Sequence, residues 1–328
     1  MLRHHSALFA PLLLTAACGG DAASAGPSAA PPPAGAEPVW QLAWSDEFQG
    51  SRIDHGKWAL DVDCWGGGND ERQCYTDRPE NARVADGRLI IEARIEDYTG
   101  PALPLHLREG ASDPDAQATR PFTSAKLVTR GLAAWKYGRL EIRARLPQGQ
   151  GAWPALWMLP ESDIYGRWAA SGEIDIMEAV NLGVRCAHCP GGLENTILGT
   201  LHFGGTVPEN ALASTEHPFP PVLDGFHTYG VIWTEGRFHW LVDGQIYAVR
   251  NASEWFTSGS QKPGAPFDQP FHLIMNLAIG GRLPESRGDG GVSGEGFPRT
   301  MEIDWVRVWQ CSDRALGGAN CPAAGSGQ

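Results

Sequence analysis

Between Trp40 and Gln310 the chain holds no long run of apolar residues at helical spacing; what it repeats is alternation with a period of two. Successive side chains on a strand point to opposite faces, so such alternation suits a sheet with one face buried. Arg88–Arg94 (RLIIEAR), Leu140–Leu146 (LEIRARL), Phe238–Val242 (FHWLV) and Met301–Trp309 (MEIDWVRVW) all read this way. Asp86-Gly87, Asp243-Gly244 and Gly280-Gly281 supply the positive-φ turn residues that hairpins need. Many strands, few helical segments, 41 glycines and 25 prolines predict an all-β protein, an antiparallel sandwich rather than an α/β fold.

The ends read differently. Residues 1–17 carry an apolar stretch, Leu8–Ala17, that suits a signal-peptide core and is too short to span a bilayer. It ends in Leu14-Thr15-Ala16-Ala17-Cys18, which resembles a bacterial lipoprotein cleavage site, although Thr15 stands where an aliphatic residue is usual. A lipid anchor through Cys18 is expected, with ordinary cleavage nearby as the alternative. Residues 18–38, nearly all Gly, Ala, Ser and Pro, cannot bury a core and read as a spacer. One domain is expected over 39–312, followed by a tail, 313–328. The protein is expected to be exported, either secreted or lipid-anchored at the cell envelope, and monomeric.

Apart from Cys18 there are six cysteines, an even number that in an exported chain reads as disulfides. The sequence-local pairs are expected: Cys64–Cys74, Cys186–Cys189 and Cys311–Cys321. A zinc site at Cys186, His188 and Cys189 is the alternative, but a closed site needs about four ligands.

A net charge of −12 argues against nucleic acid as a partner. Thirteen tryptophans suit the stacking of flat apolar sugar faces, although most serve packing.

The chemistry concentrates in Ser171-Gly-Glu-Ile-Asp-Ile-Met-Glu-Ala-Val180. On a regular strand Glu173 and Asp175 share a face and Glu178 is out of phase. A β-bulge at Met177 would return Glu178 to that face, so that three acids line one cleft. Three crowded carboxyls raise at least one pKa, which serves an acid catalyst; a solvated strand face is the bland alternative. Retaining glycoside hydrolysis needs a carboxylate nucleophile and a second carboxyl group as acid and then base, roles that Glu173 and Glu178 can fill with Asp175 between them.

Glu-Ile-Asp-Ile-Met-Glu resembles the signature of glycoside hydrolase family 16, in the bulged form of laminarinase-like enzymes. Tyr137–Arg145, Gly151–Leu159, Gly199–Gly204, Phe226–Trp233, Met275–Gly281 and Met301–Trp309 resemble further family segments in the family's order, so the resemblance covers about residues 40–310. It implies a β-jelly roll of two stacked sheets with a concave cleft, Glu173 as nucleophile, Asp175 as its assistant and Glu178 as acid/base. It also implies sugar contacts by Trp153, Trp157 and Trp168, by Asn69 and Glu71 in the Trp65–Tyr75 loop, and by His202. A structural calcium ion held by Glu47, Gly87 and Asp304 is implied as well; the chemistry itself needs no cofactor. The substrate so implied is β-1,3-glucan. Mixed-linkage β-1,3-1,4-glucan is the runner-up, and a non-catalytic β-glucan-binding protein is the rival from another class.

Overall fold

The computed structural model describes residues 37–218, 224–288, 290–314 and 317–323. The expected signal peptide, Cys18 and the expected spacer before Glu37 lie outside the described residues.

Each run with a two-residue period lies in a strand. Arg88–Pro101, Gly138–Arg145, Arg237–Val242 and Arg299–Cys311 fall in one ten-stranded sheet. Their alternate residues Leu89, Ile91, Leu140, Ile142, Val306 and Val308 are buried on its inner side. The second sheet has seven strands in the order Asn210–Pro218, Thr196–Gly204, Glu173–Ala179, Ala152–Pro160, Phe271–Ile279, Lys126–Val128 and Ala59–Leu60. Its inner side buries Leu156, Met158, Ile174, Leu201, Leu273 and Met275 against the first sheet in one continuous core. Each such aliphatic side chain contributes about 1.5–3 kcal/mol on burial, which leaves the opposite face of the seven-stranded sheet free to carry unfavourable chemistry. The result is a β-jelly-roll sandwich. Neighbouring strands run antiparallel apart from Gln73–Tyr75, which pairs in parallel with Gln117–Ser124.

Two of the three expected turns are hairpins. Asp86-Gly87 and Asp243-Gly244 both adopt positive φ between adjacent paired strands. Gly280-Gly281 also has positive φ but closes no hairpin. It leads from Phe271–Ile279 into a single helical turn, Arg282–Glu285, that packs under the Asn69 loop through Arg282 N–H to the Asn69 carbonyl at 2.8 Å.

All three expected disulfides are present: Cys64–Cys74, Cys186–Cys189 and Cys311–Cys321. Cys186 and Cys189 are therefore bonded to each other, which leaves no thiolate pair for zinc. The segment beyond residue 312 is more than a loose tail: Cys321 is tied to Cys311, and the Pro322 carbonyl accepts from the Trp40 indole at 2.9 Å.

Candidate active site

The strand Glu173–Ala179 sits inside the seven-stranded sheet, with Ala152–Pro160 on one side and Thr196–Gly204 on the other. Its pairing changes register midway. Asp175 faces Trp157, yet Met177 faces Leu156 and Glu178 faces Ala155. On the other side Asp175 faces Thr200 and Glu178 faces Leu198. One extra residue is thus accommodated at Ile176-Met177, and both of these side chains turn into the core. The bulge returns Glu178 to the face of Glu173 and Asp175. The Asp175 carbonyl accepts instead from the Trp240 indole of the opposite sheet, at 2.8 Å. Trp240 reaches it over Gly199, where any Cβ would lie 2.4 Å from the Trp240 ring.

Each outer acid is held by an indole. Trp168 Nε1 donates to Glu173 Oε2 at 2.9 Å, and Trp153 Nε1 donates to Glu178 Oε1 at 3.0 Å. His202, directly across from Glu173 on the neighbouring strand, sets its Nε2 3.5 Å from Glu173 Oε1 and 3.2 Å from Asp175 Oδ2. No arginine or lysine pairs with these three acids among the described residues. Burial is the main cause that raises all three: Glu173, Asp175 and Glu178 are each pushed up to about 8. Asp175 adds to the rise of both glutamates, while His202 and the two indole bonds oppose it. Three like groups crowded side by side cannot all ionise near neutrality. Asp175 sits between the two glutamates, and burial is the cause that raises it.

Trp157 lies on the same face, directly across from Asp175, and its indole donates to Asn276 Oδ1 at 2.6 Å. Trp168 is the most open of the three tryptophans at 39% exposure, whereas Trp153 is buried. Asn69 is exposed at the tip of its loop. Glu71 is different: it is buried, and its carboxylate accepts from Gln73 Nε2 at 2.7 Å and from the Tyr75 hydroxyl at 3.3 Å. It supports the loop from below, so the direct sugar contact expected of it does not match its position. Sequence reasoning passed over Asn276, Tyr75 and Trp240. Asn276 had a signal: it is a lone amide in the otherwise apolar run Leu273–Ile279.

The calcium residues do not form an oxygen cage. Both oxygens of Glu47 accept from Arg307, at 2.9 and 2.8 Å, and Asp304 is paired with Arg143. Gly87 lies at the hairpin turn, against the Gln49 side chain. With both carboxylates taken by guanidinium groups, these residues as arranged do not fit a calcium ion, and no role is assigned to one.

The family model for glycosyl hydrolases family 16 matches residues 102–307. The chain belongs to this family. Family 16 membership makes it a glycoside hydrolase. A β-glucanase from Rhodothermus marinus is 44% identical over 286 residues, 83% of this chain and 86% of the relative. A glucan endo-1,3-β-glucosidase A1 from Niallia circulans is 40% identical over 82% of this chain, which spans only 38% of that longer protein. The X-ray structure of the laminarinase from Rhodothermus marinus matches with a TM-score of 0.67 and 41% identity, covering 83% of this chain and 98% of that one.

Proposed function

We propose that this family 16 enzyme is an endo-β-1,3-glucanase that works by double displacement with retention. The observation that carries the reading is the bulge that turns Glu173 and Glu178 to one face of the sheet, each held by an indole N–H and, among the described residues, with no arginine or lysine paired to them. Glu173 is the nucleophile: it faces His202 across the strand pair, with His202 Nε2 3.5 Å from its carboxylate, and this neighbour and the Trp168 indole favour its ionised form. It attacks the anomeric carbon while Glu178 gives its proton to the glycosidic oxygen, and the aglycone half of the chain leaves. Glu178, now ionised, takes a proton from water as that water attacks the glycosyl ester, so the configuration is restored and both acids return to their starting states. A neutral Asp175 between them spares the pair a third charge. Trp157, Trp168 and Asn69 supply the walls against which sugar rings would lie, and the buried Trp153 backs Glu178 rather than a sugar.

The β-1,3 linkage is drawn from the relatives: one is named a glucan endo-1,3-β-glucosidase and another a laminarinase. Reducing-sugar release from laminarin, mixed-linkage β-glucan and agarose, with Glu173→Gln as control, tests it. Short oligosaccharides from laminarin support the reading; activity confined to another polysaccharide would replace the substrate. The protein's site of action is proposed to be outside the cytoplasm, a reading that three disulfides suit. Loss of lipid labelling in Cys18→Ala, against retained labelling in the parent, tests the anchor.

A further inference from the structure

The hydrogen bonds beneath the cleft run in one direction. The Trp157 indole can only donate, so Asn276 Oδ1 accepts and Asn276 Nδ2 faces the Tyr75 hydroxyl, to which it donates at 2.9 Å. The Tyr75 proton is then left for Glu71 Oε2. Gln73 is oriented as well, because its Oε1 accepts the Ile279 N–H at 2.8 Å and its Nε2 therefore points at Glu71. All the donors converge on one buried carboxylate. The Glu71 side chain also reaches toward the catalytic side. A Cβ built on Gly281 would lie 3.2 Å from Glu71 Cγ and 3.3 Å from the Trp153 ring, so both side chains flank this glycine. Trp153 in turn donates to Glu178.

We propose that Glu71 is a positioning residue with two separable effects: it anchors the hydrogen-bond chain that orients Trp157, and it keeps a negative charge beside the Trp153–Glu178 pair that helps Glu178 hold its proton. The inference rests on Glu178 being the general acid. The groups facing Glu178 are Asp175 and Glu173 from its own strand, Trp153 from the tryptophan strand, His202 from the strand on the other side, and Glu71 from the Trp65–Tyr75 loop. Burial pushes Glu71 itself upward, and the groups facing it, Gln73, Lys126, Asn69 and Tyr75, oppose that rise and favour its charge. Lys126 is already paired with Asp61 at 3.1 Å and packs over the Tyr75 ring, so it does not cancel the Glu71 charge in a direct contact.

Two substitutions separate the effects. Glu71→Gln keeps an acceptor oxygen for Tyr75 and loses the charge. Tyr75→Phe breaks the chain and keeps the charge. The alkaline limb of kcat/KM on laminarin reports the proton on the acid of the free enzyme. In Glu71→Gln it is expected to move down by about half a pH unit, because a like charge that opposed ionisation is gone, while KM changes by less than about twofold. In Tyr75→Phe the limb stays in place, and KM rises several-fold through the loosened Trp157. The Glu178 carboxyl is titrated in parallel by NMR on glutamate labelled at the side-chain carbon, in the parent and in Glu71→Gln, without substrate. A Glu178 titration that does not move would overturn the charge effect even if the enzyme proved inactive on laminarin, an outcome that would count against the glucanase reading alone. An unchanged KM in Tyr75→Phe would overturn the anchoring effect.

Discussion

Acids face outward from both sheets, and their partners could hardly differ more. On the outer side of the ten-stranded sheet, Glu92 is paired with Arg83 and Arg94, Glu302 with Arg88 and Arg145, Glu141 with Arg139, and Asp304 with Arg143. Close to its edge, the Arg307 guanidinium holds Glu47 below the usual carboxylate range. On the outer side of the seven-stranded sheet, Glu173, Asp175 and Glu178 have indole N–H groups and a histidine for neighbours, and all three are pushed upward. Both faces use the same strand alternation. A carboxylate given a guanidinium partner contributes to the fold, whereas the crowded cleft acids, buried without such a partner, cost stability and are pushed toward holding a proton that can be transferred.

The contrast is broken most severely by removing the nucleophile. Glu173→Gln is expected to lower kcat on laminarin on the order of 10⁴-fold while Tm holds or rises, since one member of a repelling cluster is gone. A fall in Tm like that of an ordinary core substitution would show the acid to be structural. Next in size, Glu178→Ala should lose about 10²-fold or more on laminarin and far less on an aryl glucoside whose leaving group needs no proton. Equal losses on both substrates would remove Glu178 from the acid role.

A pH series sharpens the same comparison because the signs are opposite. The cleft acids have folded-state values above their unfolded ones. Stability is therefore highest where they are neutral, below about 4.5, and falls as pH rises toward about 8. Glu47 is held low, so its contribution is present above its ordinary value and is lost as pH drops below it. Thermal unfolding between pH 5 and 8 should show a decline that is shallower in Glu173→Gln; identical slopes in parent and variant would contradict the assignment. The smallest effect belongs to the outer ladder. Arg307→Ala, at a pair more than a third exposed, should cost about 1 kcal/mol or less and leave kcat on laminarin unchanged.

Much of this was legible in the residues themselves. A period of two marked four strands, and the misfit of Glu178 with that period announced the bulge, because only an extra residue returns it to the face of Glu173. The local cysteine spacings yielded the three bridges. What escaped depended on residues distant in sequence. Glu71 lies close to Asn69 in the chain, yet burial and the Tyr75–Asn276–Trp157 chain, which joins three separate segments, make it a support rather than a sugar contact. Glu47 and Asp304 looked like oxygen donors for a cation, but Arg307 and Arg143 reach them only once the strands are paired. Gly280-Gly281 has the positive φ of a hairpin turn and still opens a helical turn, because Arg282 packs on the Asn69 loop.

The most direct test of the account is to trap the glycosyl-enzyme with a 2-deoxy-2-fluoro laminaribiosyl donor and locate the label by peptide mass spectrometry. The account predicts one covalent sugar on Glu173, formed by the parent and lost in Glu173→Gln. A label on Glu178, or full turnover with no trapped intermediate, would contradict it.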